Sequence, residues 1–141
     1  MTFKLAACVL MPTGNRPEEI IAISRRNDFT KWGIPGGKQD DDETNVRCAM
    51  REIREETGIQ LLTSDLVPIY SGACYGKDGH DFWVTTYVVN DTFSGIITNC
   101  EDGLQCKPME LITLCNESIS PFAPYNINVL TAWRHFKCWN V

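Results

Sequence analysis

Apolar and polar residues alternate along this chain in short blocks that change period several times. Phe3 to Met11 is apolar almost throughout, with short side chains around a β-branched Val9, and reads as a buried strand. Pro12-Thr13-Gly14-Asn15 supplies turn chemistry, and Glu19 to Arg25 reads as the returning strand, followed by a polar Asn27-Asp28. Trp32 to Gly37 holds one Pro and three Gly, so it reads as an irregular segment whose backbone is open to close approach. A helix then starts near Asp42 to Thr44. Val46, Ala49, Met50 and Ile53 fall at i, i+3, i+4 and i+7 and give it one apolar stripe. Asp40, Asp41 and Asp42 suit its positive end, and Gly58 is the natural left-handed residue just past its last turn.

Beyond the helix the period returns to that of strands. Ile59 to Leu62 reads as a short one, and Leu66 to Tyr75 as a longer one that Pro68 and Gly72 bend or push to an edge. Gly76-Lys77-Asp78-Gly79 is a hairpin turn leading into Phe82 to Val89, the strongest strand signal in the chain. Asn90 to Gly103 is mixed and polar. Lys107 to Leu114 reads as a strand turning into a short helix. Pro124 to Lys137 closes the chain as a helix, with Ile127, Leu130 and Arg134 along one line and Val129, Trp133 and Phe136 along another. Strands, one central helix, more strands and a terminal helix predict an α+β fold, an α/β/α sandwich with a mixed sheet, in a single domain over residues 1–141.

Composition narrows the classes. The chain is 43% apolar and 22% charged, as in an ordinary soluble globular protein. A formal charge of −5 argues against electrostatic binding to nucleic acid, though not against an anionic nucleotide that brings cations with it. Seven cysteines without a C-x2-C pair, beside two His, read as free thiols in a reducing cytosol rather than a zinc site. Leu5-Ala6-Ala7-Cys8 looks like a lipoprotein processing site, but only four residues precede it, so it reads as mid-strand. No apolar run approaches the length of a membrane span. Asn90-Asp91-Thr92 and Asn116-Glu117-Ser118 fit a glycosylation pattern that, with no secretory signal, carries no expectation.

The chemistry gathers between Gly36 and Ile59. Glu52, Glu55 and Glu56 fall at i, i+3 and i+4, on one helical face about a third of a turn from the apolar stripe. Three like charges so placed weaken a bare helix, and a cation held between them reverses that effect. A hard cation such as Mg²⁺ wants oxygen ligands, which these carboxylates and a backbone carbonyl of the glycine loop can supply. Such a cation lowers the pKa of a bound water, and a nearby carboxylate can act as general base. Arg51 can brace Glu43 or Glu55 through a bidentate pair. On its own, one such helix would read as a solvated face; the glycine loop before it favours the metal-site reading.

The whole stretch resembles the Nudix hydrolase family, whose signature is G-x5-E-x7-R-E-U-x-E-E-x-G-U with U aliphatic. Gly37, Glu43, Arg51, Glu52, Ile53, Glu55, Glu56, Gly58 and Ile59 fill every defined position, and Trp32 to Lys38 is similar to the family's usual entry. The resemblance implies Mg²⁺- or Mn²⁺-dependent hydrolysis of a nucleoside diphosphate linked to another group, by water attack at phosphorus. It implies Glu52, Glu55, Glu56 and the Gly36 carbonyl as metal ligands, with Arg51 and Glu43 in support. Glu52 is the first candidate for the base. A further acid from a later loop is Glu101, as base or ligand. The family's Trp in that stretch is replaced here by Cys106. For the substrate, the residues proposed are Arg25, Arg26, Lys38, Tyr75 and Trp83, with Trp83 and Phe82 on opposite faces of one strand.

The leading expectation is a pyrophosphatase of (d)NTP-type nucleotides. Alternatives are ADP-ribose or dinucleoside polyphosphate hydrolysis, removal of an RNA 5′ cap or terminal pyrophosphate, and a silent nucleotide sensor. The expected partner is a small nucleotide, without nucleic acid or membrane. Homodimers are common among look-alikes. The expected location is the cytoplasm, or the host cytoplasm for a viral chain.

Overall fold

The computed structural model describes residues 2–76, 80–90 and 100–139. Its organising strand is β1 (Lys4–Leu10), central because its side chains are small enough to be covered on both faces. Ala6, Cys8 and Leu10 point to one core; Ala7 and Val9, followed by Met11, point to the other. Strand β2 is Glu19–Arg25 and β3 is Asp28–Gly33; β4 is Gly36–Lys38, β5 Leu66–Tyr75, β6 Asp81–Val89 and β7 Cys106–Glu110. One sheet runs β4-β1-β6-β5 and is mixed, with β1 and β6 parallel and the other pairs antiparallel. A second, antiparallel sheet runs β3-β2-β7.

Helix α1 (Asn45–Thr57) packs on β1 and β4, and α2 (Ala123–Trp139) on β5 and the short 3₁₀ turn at Leu111–Cys115. The expected α/β/α sandwich with a mixed sheet is present, with the strands divided between two sheets. Consequently β2 is not the hairpin partner of β1. The two segments meet beyond the end of β1, where Pro12 bridges Ile20, the Ile21 N–H meets the Met11 carbonyl and the Thr13 N–H meets the Glu19 carbonyl.

Several local expectations hold to the residue. Strand β2 has the predicted limits, and β5 is an edge strand with an irregularity between Pro68 and Tyr70. Gly58 is left-handed at φ 77°, its N–H donating to the Arg54 carbonyl. Others change. Thr44 caps α1, its Oγ1 accepting from the Arg47 N–H, and the first turn holds no acid, so Asp40 to Asp42 lie before the helix rather than on it. The buried face of α1 is Cys48, Ala49, Ile53 and Thr57, with Val46 and Met50 only half-covered at its flank. Trp32–Gly37 is irregular only at Ile34-Pro35, because β3 and β4 absorb its ends. Residues 59–62 form no strand and lead into a 3₁₀ turn at Thr63–Asp65. On α2 the line through Val129 and Trp133 is buried, while Ile127 is half exposed. Strands β5 and β6 pair as far as Tyr75↔Asp81; most of the turn expected between them, and of the polar stretch after Asn90, lies outside the described residues.

Candidate active site

The glycine strand β4 places the site. Gly36 has φ 157°, and a Cβ there would run into the Ala7 carbonyl and the Cys8 Cα, so only glycine lets β4 lie this close to β1. Gly37 follows with α1 directly above it: a Cβ on Gly37 would collide with the Glu52 carboxylate. The helix is locked in this pose by Asn45, whose Nδ2 donates to the Ala6 carbonyl and Gln39 Oε1 at 3.0 Å each, while its Oδ1 accepts from the Tyr87 hydroxyl at 2.8 Å.

Arg51 organises the acids. Its Nε and Nη2 grip Glu43 at 2.9 and 2.7 Å, a bidentate pair. Nη1 reaches Glu52 at 3.0 Å and Glu55 at 3.2 Å, and Nη2 also donates to the Lys38 carbonyl at 3.0 Å. Asp40 stands 3.6 Å away. The Arg51 hydrogen bonds pull the Glu43 carboxyl down to about 2, helped by the Asp40 N–H. Of the two acids expected for a bidentate pair with Arg51, Glu43 takes it, while Glu55 and Glu52 are reached by Nη1 alone.

Glu52 and Glu56 behave oppositely to Glu43. Burial raises the Glu52 carboxyl in spite of Arg51. Burial, then repulsion from Glu52, push Glu56 up to about 8, opposed by one N–H from Gly36 at 2.9 Å; Glu101 and Glu55 add to the repulsion. The structure thus brings Gly36, Glu52, Glu56 and Glu101 together, with Glu55 more exposed at the rim. Glu101 arrives by its backbone, its N–H donating to the Glu56 carbonyl at 3.3 Å. Its carboxylate turns outward to Arg26 at 3.2 Å.

Two mostly buried carboxylates with raised proton affinity are sites where a cation can replace the proton. Among the described residues no group of three His, Cys, Asp or Glu side chains is placed to hold a metal ion by itself. The donors fit Mg²⁺ or Mn²⁺ all the same. Mg²⁺ in particular takes one or two carboxylates and leaves its other positions to water and phosphate.

Beside Gly36 and Gly37 opens a cavity of about 160 Å³ lined by Ile34, Phe82, Val84, Phe122 and Tyr125. A wider one of about 510 Å³ shares Phe82 and Phe122 and reaches Arg25, Lys31, Tyr75 and His80. The sequence-proposed contacts divide accordingly. Lys38 lines the smaller cavity, and Arg25 and Tyr75 the wider one. Arg26 is instead engaged by Glu101 and by the Asp102 carbonyl.

Trp83 needs correcting. Strand alternation sends Phe82 into both cavities, and Trp83 to the opposite face, 5.9 Å from Phe3 and 42% exposed. Phe122 and Tyr125 were not foreseen. Tyr125 is held by its hydroxyl to Thr86 (2.6 Å) and Val84 O (3.1 Å); the one signal for it was the start of α2 facing an alternating β6.

Comparison with known proteins agrees with this geometry. The family model described as NUDIX domain matches residues 2–121. A Bacillus subtilis (strain 168) protein provisionally named 8-oxo-dGTP diphosphatase is 32% identical over 69 residues, 49% of this chain and 46% of that one. The mRNA-decapping protein g5R of African swine fever virus is 31% identical over 71 residues, 50% of this chain and 29% of the other. The chain thus spans about half or less of the length of these two relatives. A NUDIX hydrolase structure from Nitrosomonas europaea superposes with a TM-score of 0.71 at 13% identity, covering 96% of this chain and 91% of that one, a likeness of fold.

Proposed function

The chain belongs to the NUDIX family, and from that premise we propose that it hydrolyses a phosphoanhydride bond of a nucleoside diphosphate linked to another group, most simply a (d)NTP-type nucleotide. The observation that carries this reading is the pair Glu52 and Glu56, half-buried beside Gly36-Gly37 with carboxyls raised above their ordinary value. Glu52, Glu55, Glu56 and the Gly36 carbonyl would hold a divalent cation. When bound, it neutralises phosphate charge and lowers the pKa of a bound water.

The chain's own groups do the rest. Arg51 fixes Glu52 through Oε1 at 3.0 Å. That leaves the other Glu52 oxygen to take the proton of a water attacking phosphorus, a general-base role that a raised carboxyl suits. Arg51 itself is anchored by Glu43, which stays ionised across the working range. Glu101, as a second acid, meets the site by leaving Arg26. The smaller cavity, with Phe82 and Phe122 on its wall, receives the flat base. Arg25, Lys31 and Lys38 offer positive charge at the two cavities for an anionic substrate. The net charge of −5 supports a small nucleotide over a long nucleic acid as the partner.

A second reading, removal of an RNA 5′ cap, is supported by the likeness to the viral decapping protein over half of this chain. A panel of NTPs, nucleotide sugars, dinucleoside polyphosphates and capped RNA with Mg²⁺ tests both. Turnover of a free nucleotide that disappears in Glu56→Gln supports the first reading. Turnover of capped RNA alone supports the second, and none at all in the wild type refutes both.

A further inference from the structure

Of the seven cysteines, Cys8, Cys48, Cys74 and Cys115 lie in or against the two cores and Cys138 stands exposed on α2. Cys100 and Cys106 are different. Both are half-buried free thiols, and their sulfurs stand 3.2 Å apart. A disulfide holds its sulfurs at about 2.05 Å, so about 1.2 Å of approach separates this contact from a bond.

The chain between them is already closed into a ring. The Leu104 N–H donates to the Glu101 carbonyl at 3.0 Å, and Gly103 turns with φ 83°. The outer side of the ring is fixed to β2 and the turn after it. Gly103 O accepts from the Asn27 N–H at 2.8 Å, Asp102 O from Arg26 at 2.5 Å, and Gln105 exchanges hydrogen bonds with Ser24. The inner side is fixed to the end of α1, where the Glu56 carbonyl accepts from the Glu101 N–H and from Cys106 Sγ at 3.8 Å. This ring carries Glu101, the acid whose backbone docks on Glu56.

We propose that Cys100 and Cys106 form a dithiol–disulfide switch, oxidised by a small-molecule disulfide, that staples the Glu101 ring and slows hydrolysis. The chemistry is two exchanges. The Cys100 thiolate attacks one sulfur of the reagent and expels one thiol. The Cys106 thiolate then attacks Cys100 Sγ in the mixed disulfide and expels the second. The two cysteines lose two protons and two electrons, and the reagent leaves as two thiols. Stapling removes the Cys106 S–H from the Glu56 carbonyl. It also holds the ring with Glu101 turned to Arg26, the orientation it must leave to approach Glu56.

The slowing rests on the hydrolase reading; ring closure does not. The reduced protein is incubated with oxidised glutathione and analysed by intact mass, fragmentation and amide exchange. The expected product has lost two hydrogens, located to the Cys100–Cys106 ring, with slower exchange over residues 101–105. Cys100→Ser and Cys106→Ala each abolish that product. Turnover of the oxidised wild type falls up to about 100-fold, as for a misplaced catalytic group, and returns with a thiol reductant, whereas Cys100→Ser is indifferent to the reagent. Glutathione retained on Cys100 without ring closure, or bonding to another cysteine, overturns the switch. So does a closed ring with unchanged exchange and turnover. Ring closure with slower exchange in a protein that hydrolyses nothing in either state overturns the hydrolase reading and leaves the staple standing.

Discussion

Replacing Glu56 by Gln in the metal-free protein should stabilise it at neutral and alkaline pH. The folded carboxyl sits at about 8 against an ordinary 4.5, chiefly through burial and then repulsion from Glu52. A carboxyl raised by folding binds its proton more tightly in the native state, so stability is full below about pH 4.5 and falls as pH rises toward 8. At pH 7 the separation of about 2.5 units corresponds to about 3 kcal/mol at 1.36 kcal/mol per unit. Part of that is mutual repulsion among Glu52, Glu55, Glu56 and Glu101, which relaxes when any one of them takes a proton, leaving about 2 kcal/mol for Glu56 alone. Gln keeps an oxygen for the Gly36 N–H and removes the charge. For a chain of this size about 2 kcal/mol is about 8 °C in Tm. Calorimetry in a chelator should therefore show wild type and Glu56→Gln melting together near pH 4.5, and the variant about 8 °C higher at pH 7. Millimolar Mg²⁺ should restore the wild type at pH 7 and do little for the variant. A variant that melts lower at pH 7, or parallel pH profiles for the two proteins, would show that Glu56 is not a strained, cation-seeking carboxylate.

The same geometry makes three other demands. Glu43, held down to about 2 by Arg51, contributes stability that is present above its ordinary 4.5 and lost as pH falls toward 2. Arg51→Met should flatten that limb of an acid-denaturation curve and cost about 2–3 kcal/mol at pH 7 in urea unfolding, because it leaves Glu43 and Glu52 without their cation. Gly37→Ala drives a methyl into the Glu52 carboxylate; kcat should fall about 100-fold with KM changed much less, and an unchanged kcat would remove Glu52 from the chemistry. Phe82→Ala should raise KM for the nucleotide about 10-fold, the cost of one lost stacking contact, while Trp83→Ala on the other face leaves KM unchanged.

What was readable in advance, and what was not, follows from how far each constraint reaches along the chain. Helix α1, its glycine stop and its acid face are local: Gly58 must be left-handed, and residues three and four apart must share a face, so spacing alone located them. Strand β2 and the edge strand β5 were equally local, since β-branched residues and Pro68 act on their own backbone. The division into two sheets was not legible. It depends on β2 pairing with β7, about ninety residues downstream, and no period in Glu19–Arg25 names that partner. Strand β3 was missed for a related reason. Asp28–Gly33 is mostly exposed and Asn27 turns the chain at φ 57°, so polar residues sit where alternation would be sought. The faces of β6 show the limit most clearly. Alternation said that Phe82 and Trp83 point apart, and nothing in the strand itself could say which pointed to α2. That was decided by β1, whose parallel register sets Ala6 and Cys8 against Val84 and Thr86 and leaves Phe82 beside the cavity under Phe122. The acids proposed to hold a cation can therefore be read from one helix, whereas the residues proposed to receive the base come from β3–β4, β6 and α2 together and appear only once the sheet is assembled.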